Sequence, residues 1–369
     1  MKLALLPLFA LFFATEAEAQ QDKLLIGTYT NKGTSEGIYV YDFDRTTAET
    51  KLKSVAKNVI NPSYLAISKD KKFVYSVNEA GKNSEVSAFS FNMQSGELTF
   101  LNKNPSAGAD PCFITVDDKN VILANYGGGN ISVFGRNADG SLGPIKQVVQ
   151  HTGKSIDPKK RQESAHVHQV QFTPDHKYLI SNDLGEDNSY IYNYNPQSTD
   201  KVLTQKAVIK TNPGTGPRHL TFGKNGQFAY LVHEFNGSIT VFSYHKGNLD
   251  KIQEIGTAAK DFTGRIDGAD LHISPDGKFL YETNRGDANT ITAFSILPNG
   301  NLKFIETIPT LGRGPRNFAI DPSGNFLLIA HQYTNDVVIF NRDPTRGTLK
   351  DSGKRINVGT PVCLLFTQN

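Results

Sequence analysis

TGPRHLTF, residues 215–222, returns later in the chain as RGPRNFAI, residues 313–320. If the hydrophobic residue five places after the proline is taken as an anchor, this frame recurs throughout the chain. The anchors are Ile67, Val116, Phe172, Phe222, Ile273, Ile320 and Phe366. Their spacing of 46 to 56 residues is typical of repeats in which each copy forms one supersecondary unit. The chain therefore contains seven copies of one unit.

Each copy predicts four short strands. In the copy anchored at Ile273 these are DLHI, FLYETN, TITAFSI and the segment around LKFIET, separated by turns such as SPDGK and NGN. Alternating β-branched and aromatic residues between Gly and Asn turns favour strands, and no stretch has sustained helical periodicity. The pattern predicts an all-β fold, a seven-bladed β-propeller with four antiparallel strands per blade. The absence of tryptophan excludes the WD-type propeller signature.

The two ends of the repeat region complement each other. The last copy has only its inner strand, residues 361–366, whereas residues 24–29 and 37–43 resemble the middle strands of a copy that lacks its first. We expect the N-terminal strands to join the C-terminal strand and close the ring, which leaves only short sheet edges unpaired. No Pro-, Ser- or Gly-rich linker separates the copies, so residues 20–369 are interpreted as a single propeller domain.

The first residues have the pattern of a secretory signal peptide. Lys2 precedes an apolar run over residues 3–13, and Ala17-Glu18-Ala19 provides a small-residue cleavage site. We expect residues 1–19 to be removed near Ala19 and the protein to be exported, to the periplasm or the medium. The apolar run is too short to span a bilayer.

Composition limits the partners. The net charge is only +3, and charged residues make up 20% of the chain without a long run of one sign, so neither nucleic acid nor a membrane surface is expected as a partner. The two cysteines lie in copies too far apart to pair, and both are interpreted as buried side chains. A closed ring is expected to be a monomer acting on a small molecule, and nothing in the sequence indicates a cofactor.

Two sets of equivalent positions carry unusual chemistry. Directly after the proline position the copies have Ser63, Cys112, His168, Arg218, Ala269, Arg316 and Val362. At the end of the second strand they have Glu79, Tyr126, Asp183, Glu234, Arg285 and Gln332. The start of the first strand and the end of the second lie at the same end of an antiparallel sheet, so both sets are expected at one mouth of the central channel. Their arginines predict a site for an anion.

Other kinds of site find less support. His166 and His168 alternate along a strand, but no third ligand accompanies them, so no metal is predicted. No Gly-x-Ser-x-Gly elbow is present and no cysteine lies next to a base, which argues against an acyl-enzyme. The long connection over residues 141–165, which contains DPKKRQES, is either a solvated loop or a cover over the mouth.

The units AHVHQVQFTPDHKYLISNDLG, GPRHLTFGKNGQFAYLVHEFNGSITVF, DLHISPDGKFLYETNRGDANTITAFSI and GPRNFAIDPSGNFLLIAHQ closely resemble the seven-bladed propeller lactonase family. That family includes propeller-type 6-phosphogluconolactonases and the fungal cis,cis-muconate cycloisomerase, and the resemblance covers essentially the whole chain after residue 19. The resemblance implies a catalytic site made of His168 or its neighbour His166, together with Arg218, Glu234 and Arg285.

The resemblance implies hydrolysis of a sugar lactone. We expect Glu234 or His168 to activate water, Arg218 to stabilise the oxyanion, and Arg285 with Arg316 to bind a carboxylate or phosphate. Further substrate contacts are expected from His166, Asp183, Glu79, Tyr126 and Gln332. Export argues for an unphosphorylated aldonolactone, or another carboxylated lactone, over a phosphorylated sugar lactone.

Three alternatives stay open. A propeller that binds a partner without catalysis has the same fold. A lactonising cycloisomerase would use the same arginines. An ion pair between Arg218 and Glu234 would also be compatible with a purely structural role.

Overall fold

A computed structural model describes residues 21–31, 33–157, 160–259 and 261–367. The predicted signal peptide, residues 1–19, lies outside the described residues. Within the described ranges, 28 strands form seven four-stranded antiparallel sheets. The predicted all-β, seven-bladed propeller is confirmed.

The strands are numbered in chain order, and a 3₁₀ turn at Gly81–Asn83 follows the fifth. They are β1 Gln21–Thr28, β2 Gly37–Asp44, β3 Thr50–Lys57, β4 Tyr64–Ile67, β5 Phe73–Asn78, β6 Glu85–Phe91, β7 Leu98–Pro105, β8 Pro111–Val116, β9 Asn120–Asn125, β10 Asn130–Arg136, β11 Leu142–Gln150, β12 Val167–Phe172, β13 Tyr178–Asp183, β14 Asn188–Tyr194, β15 Leu203–Lys210, β16 Pro217–Phe222, β17 Phe228–His233, β18 Ser238–His245, β19 Asn248–Gly256, β20 Ile266–Ile273, β21 Phe279–Gly286, β22 Thr290–Ile296, β23 Leu302–Pro309, β24 Pro315–Ile320, β25 Phe326–His331, β26 Asp336–Arg342, β27 Leu349–Asn357 and β28 Pro361–Phe366.

The ring closes as the sequence predicts. The first blade has the strand order β28-β1-β2-β3, so the last strand of the chain is the inner strand of the first blade. The ladder between β28 and β1 pairs Leu24 with Phe366 and Ile26 with Leu364. Phe366 also packs edge-to-face on Phe43 of β2, with ring centroids 5.1 Å apart. Closure is therefore made by main-chain hydrogen bonds and by a shared apolar core.

A repeated tyrosine joins neighbouring blades. Tyr75, Tyr230 and Tyr281 occupy the second strands of three blades and are fully buried. Each hydroxyl donates a hydrogen bond of 2.8–3.0 Å to a glycine carbonyl in the outer turn of the next blade. A buried phenol needs such a partner, since an unpaired hydroxyl in the core is destabilising. The contact fixes the rotation of one blade against the next.

Most inner strands carry a β-bulge directly after the proline position. Pro217 pairs with His233 and His219 pairs with Val232, which leaves Arg218 as the extra residue. The same shift of register leaves Cys112, His168, Arg316 and Val362 unpaired. A bulged residue lies outside the ladder and its side chain is re-aimed. Proline suits the strand start because no N–H is required there.

The described part of the chain contains no helix long and apolar enough to cross a bilayer. Cys112 and Cys363 are buried free thiols, as expected. Burial raises the pKa of both thiols, that of Cys363 to about 12, so neither is a ready nucleophile.

Replacing Gly216 with alanine is expected to destabilise the protein. Gly216 has φ +66°, and an added Cβ would lie 3.0 Å from the ring of Phe235. We expect the free energy of unfolding to fall by about 1 kcal/mol or more, measured by denaturant unfolding. Gly256→Ala is the matched control, because that Cβ would meet nothing within 4 Å. Equal losses in the two variants would contradict this account.

Candidate active site

Glu234 is the centre of the site. It directly follows β17, and its N–H bonds to the carbonyl of Gly216, 2.7 Å away, so the turn fixes its backbone. Its carboxylate accepts from Arg218 Nε at 3.0 Å, lies 3.1 Å from Arg285 Nη2, and also pairs with Arg161 Nη1. Only 1% of Glu234 is exposed. Three guanidinium groups therefore converge on one buried carboxylate.

This arrangement fixes the charge of Glu234. Burial alone would raise the pKa of the carboxyl, but Arg285, Arg161 and Arg218 outweigh it and hold the pKa far below its usual range. Glu234 is therefore ionised at every physiological pH. Each carboxylate oxygen already binds at least one guanidinium, so the main task shown for Glu234 is to balance their charge.

Arg218 is aimed into the channel by its bulge. Nε binds Glu234 and Nη1 donates to the carbonyl of Ala269, whereas Nη2 has no hydrogen-bond partner among the described residues. Burial, followed by repulsion from Arg285, lowers the pKa of Arg218 to about 10, so the guanidinium stays charged at neutral pH. A rigid cation with an uncommitted N–H can donate to a developing oxyanion.

His168 also occupies a bulge and is almost fully buried. Its Nδ1 has no hydrogen-bond partner among the described residues. The ring lies edge-on to His219 and Tyr126, at centroid distances of 5.2 and 5.6 Å. Burial and then the charge of Arg218 keep the pKa of His168 well below its usual value. The imidazole is therefore neutral and able to accept a proton.

The long loop before β12 contributes to the site through Arg161. Its Nη2 donates to the Tyr126 hydroxyl at 2.7 Å, and its guanidinium carbon lies 5.4 Å from the ring centroid of Phe235. Tyr126 in turn stacks on His166 at 4.5 Å. The predicted connection over residues 141–165 is a loop only in its second part, because Leu142–Gln150 form β11. That second part reaches the mouth through Arg161. Arg161 is not predictable from the sequence, because nothing in DPKKRQES distinguishes one cation from another.

Arg316 and Glu79 form the other side of the mouth. The Tyr29 hydroxyl donates to Glu79 at 3.0 Å, and Ser63 also binds this carboxylate. Arg316 stacks over the ring of Tyr29 at 5.7 Å but makes no ion pair or hydrogen bond within the part of the chain that the structure describes. The four arginines exceed the two carboxylates, Glu234 and Glu79, by two charges. The mouth therefore favours negative charge.

Two predicted substrate contacts make no hydrogen bond or ion pair with the arginines within the described residues. Asp183 is fully buried, accepts from the backbone N–H of His166 at 2.8 Å, and binds His151 Nδ1 at 2.7 Å. It fixes the segment just before β12, which carries His166. Gln332 is half-buried, and its N–H bonds to the carbonyl of Gly314. Neither side chain is brought to Glu234.

One buried group has the composition of a metal site. Ligand atoms of His151, Asp183 and Glu186 lie within 4.8 Å of one another. Both nitrogens of His151 are engaged, with Asp183 and with the Tyr192 hydroxyl, and Glu186 accepts from Tyr190 and from the backbone of Gly153. These hydrogen bonds account for the burial of the group without an ion.

Comparisons with known proteins show the family of the chain. Residues 23–366 match the family described as "Lactonase, 7-bladed beta-propeller". A 6-phosphogluconolactonase of Bacillus subtilis is 37% identical over 346 residues, which is 92% of this chain and 97% of the relative. The solved structure of a Bacteroides fragilis protein, 42% identical, has a TM-score of 0.91 over 96% of this chain and 99% of that one. The periplasmic gluconolactonase PpgL of Pseudomonas aeruginosa, 36% identical, has a TM-score of 0.90 over 94% and 99%.

Glu234→Gln is expected to lower stability by about 3 kcal/mol at pH 7, because three guanidiniums lose their buried counter-charge. The folded pKa is depressed, so this contribution is full above the unfolded pKa and is lost as pH falls toward the folded one. The difference between wild type and variant should therefore narrow below about pH 4.3. Denaturant unfolding across pH measures it, with the exposed Glu97→Gln as control. A pH-independent difference would contradict the ion-pair account.

Proposed function

The chain belongs to the lactonase family of seven-bladed β-propellers, and we propose that it hydrolyses a sugar lactone, specifically an unphosphorylated aldonolactone, to the open-chain acid. The observation that carries the proposal is the convergence of Arg161, Arg218 and Arg285 on the buried Glu234. In the same mouth His168 packs on Tyr126, and its Nδ1 has no hydrogen-bond partner among the described residues. The names of the relatives, 6-phosphogluconolactonase and gluconolactonase, support the reaction. The signal-like N-terminus and the periplasmic relative support the unphosphorylated substrate.

In the proposed reaction His168 acts as the general base. Lactone hydrolysis begins when water attacks the ring carbonyl, and a base that removes a proton from the water makes it more nucleophilic. His168 Nδ1 is buried without a hydrogen-bond partner among the described residues, whereas both carboxylate oxygens of Glu234 are held by guanidinium groups. When the ring opens, the same proton returns from the imidazolium to the leaving ring oxygen, so His168 ends the cycle neutral.

Arg218 stabilises the tetrahedral oxyanion. Two of its nitrogens are fixed by Glu234 and the Ala269 carbonyl, so Nη2 is aimed without further ordering. Preorganised donors of this kind lower the activation barrier by about 3 to 4 kcal/mol in other hydrolases. Glu234 serves as the counter-charge that allows three arginines to share one mouth.

Arg161, Arg285 and Arg316 hold the substrate. Arg316 has no carboxylate partner among the described residues, and Arg285 Nε is buried without a hydrogen bond. Both can donate to hydroxyl oxygens of the lactone and to the carboxylate of the product. A guanidinium is well suited to bind neighbouring oxygens as a fork.

The function is tested with three lactones: glucono-1,5-lactone, its 6-phosphate and muconolactone. We expect acid release, followed in a pH-stat, to be fastest with the unphosphorylated sugar lactone. Arg218→Ala should reduce kcat by about a hundredfold or more, because an oxyanion donor is lost. Faster turnover of the 6-phosphate would show that the preferred substrate is a phosphorylated lactone. Turnover of muconolactone alone would favour the cycloisomerase, and no turnover of any lactone would overturn the proposal.

A second experiment tests the general base. Replacing His168 with glutamine should lower kcat about a hundredfold or more without unfolding the protein. Because a base must be unprotonated and the pKa of His168 is depressed, wild-type kcat/KM should stay level as pH falls through 6.5 and decline only well below it. His245→Gln, an exposed histidine at the end of β18, is the control. Wild-type kcat in His168→Gln would exclude this role.

A further inference from the structure

The mouth of the channel that holds the arginines is called the upper mouth. The opposite mouth contains a cavity, called the lower cavity. Its volume is about 760 Å³, within the range of small-molecule sites. Most of its lining lies toward the ends of the inner strands, whereas Arg218 and Arg316 lie at the starts of theirs. Its walls include Tyr64, Phe222, Ala319 and Leu364 from four inner strands. This cavity has no part in the proposed lactone chemistry.

The polar lining of the lower cavity is cationic. The rim carries Lys71 and Lys224, and His272 on β20 contributes an imidazole whose side chain is 40% exposed. None of the lining residues is an aspartate or a glutamate. An anion could therefore enter without meeting a carboxylate on the walls.

His272 is held by a buried carboxylate. Its Nε2 binds Asp270 at 2.9 Å, and Asp270 is also bound by His219 and by the amide of Asn317. Burial opposes the charge of His272, but Asp270 outweighs it and raises the pKa of the imidazole. With Nε2 engaged by Asp270, Nδ1 donates to a ligand when the ring is protonated. Asp270 fixes the ring so that this donor keeps one direction.

The remaining wall is apolar. Phe222, Ile320 and Leu364 line it, together with Tyr64, whose hydroxyl has no hydrogen-bond partner within the described residues. A sugar acid would lose water from its hydroxyls against such walls with few partners in return. An apolar ring or branched chain would gain from the same contact.

We propose that the lower cavity binds a small organic anion, a carboxylate carried on an aromatic or branched apolar body. The carboxylate lies between His272 and Lys224, and the apolar part packs on Tyr64 and Phe222. Asp270 joins His272 to His219, which lies 3.4 Å from Arg218 Nη1, so the two sites share a buried hydrogen-bonded wall while their ligands enter from opposite mouths.

Phenylacetate is the probe, with neutral phenylacetamide and polar gluconate for comparison. For so small a ligand we expect a Kd on the order of a millimolar by isothermal titration calorimetry, and much weaker binding of the other two. His272→Gln and Lys224→Gln should each weaken phenylacetate binding about tenfold, since each removes a charged donor. Lys177→Gln, on the corresponding turn of another blade and outside the cavity, should leave it unchanged.

Methyl NMR locates the ligand. Resonances of Ile273, Ile320 and Leu364 should shift on addition of phenylacetate, whereas methyl groups near Arg218 should not. Three results would overturn the proposal. The first is no methyl shift at a phenylacetate concentration about ten times the expected Kd, and the second is shifts confined to methyl groups at the mouth that holds Arg218. The third is equal phenylacetate affinity in Lys224→Gln, in Lys177→Gln and in a folded His272→Gln. Lactone turnover is not the readout, so failure of either proposal leaves the other standing.

Discussion

Every blade depends on two neighbouring blades to cover its faces, and the pairing of β28 with β1 supplies the last of these neighbours. A sheet with one face in water would leave rows of Val, Ile and Phe exposed, so an open array would be far less stable than the ring. Closure also creates the site. Arg218 and Glu234 belong to one blade, Arg285 to the next and Arg161 to an earlier connection, and they meet because the channel has a fixed width.

The arginines of the upper mouth destabilise the folded protein but are already oriented to bind negative charge. Four arginines held close together repel one another, and burying them removes their hydration. Glu234 offsets most of that cost for three of them, while Arg316 is left with the ring of Tyr29. The surplus charge is already oriented before any substrate arrives, so little reorganisation accompanies the development of negative charge in the reaction.

The repeat made the architecture predictable, because each copy carries the same local signals for strands and turns. It also predicted which side chains share a mouth, as the contacts of Arg218, Glu234 and Arg285 show. The part played by Arg161 depends on how a long loop packs across the ring, and no local pattern encodes that. Asp183 occupies a predicted position, yet it turns to His151 and to backbone N–H groups, because such a short carboxylate is readily captured by the loop beside it.

The bulge at the start of the inner strands has a consequence for how such a site changes over time. The bulged residue takes no part in the ladder, so valine, cysteine, histidine and arginine occupy this position in one molecule without loss of register. The fold can therefore be kept while the chemistry of the mouth changes. A substitution at the bulge replaces one side chain at the mouth, and the sheet around it keeps its hydrogen bonds. Single substitutions at the bulge position can therefore change the chemistry of the mouth step by step while the fold stays the same.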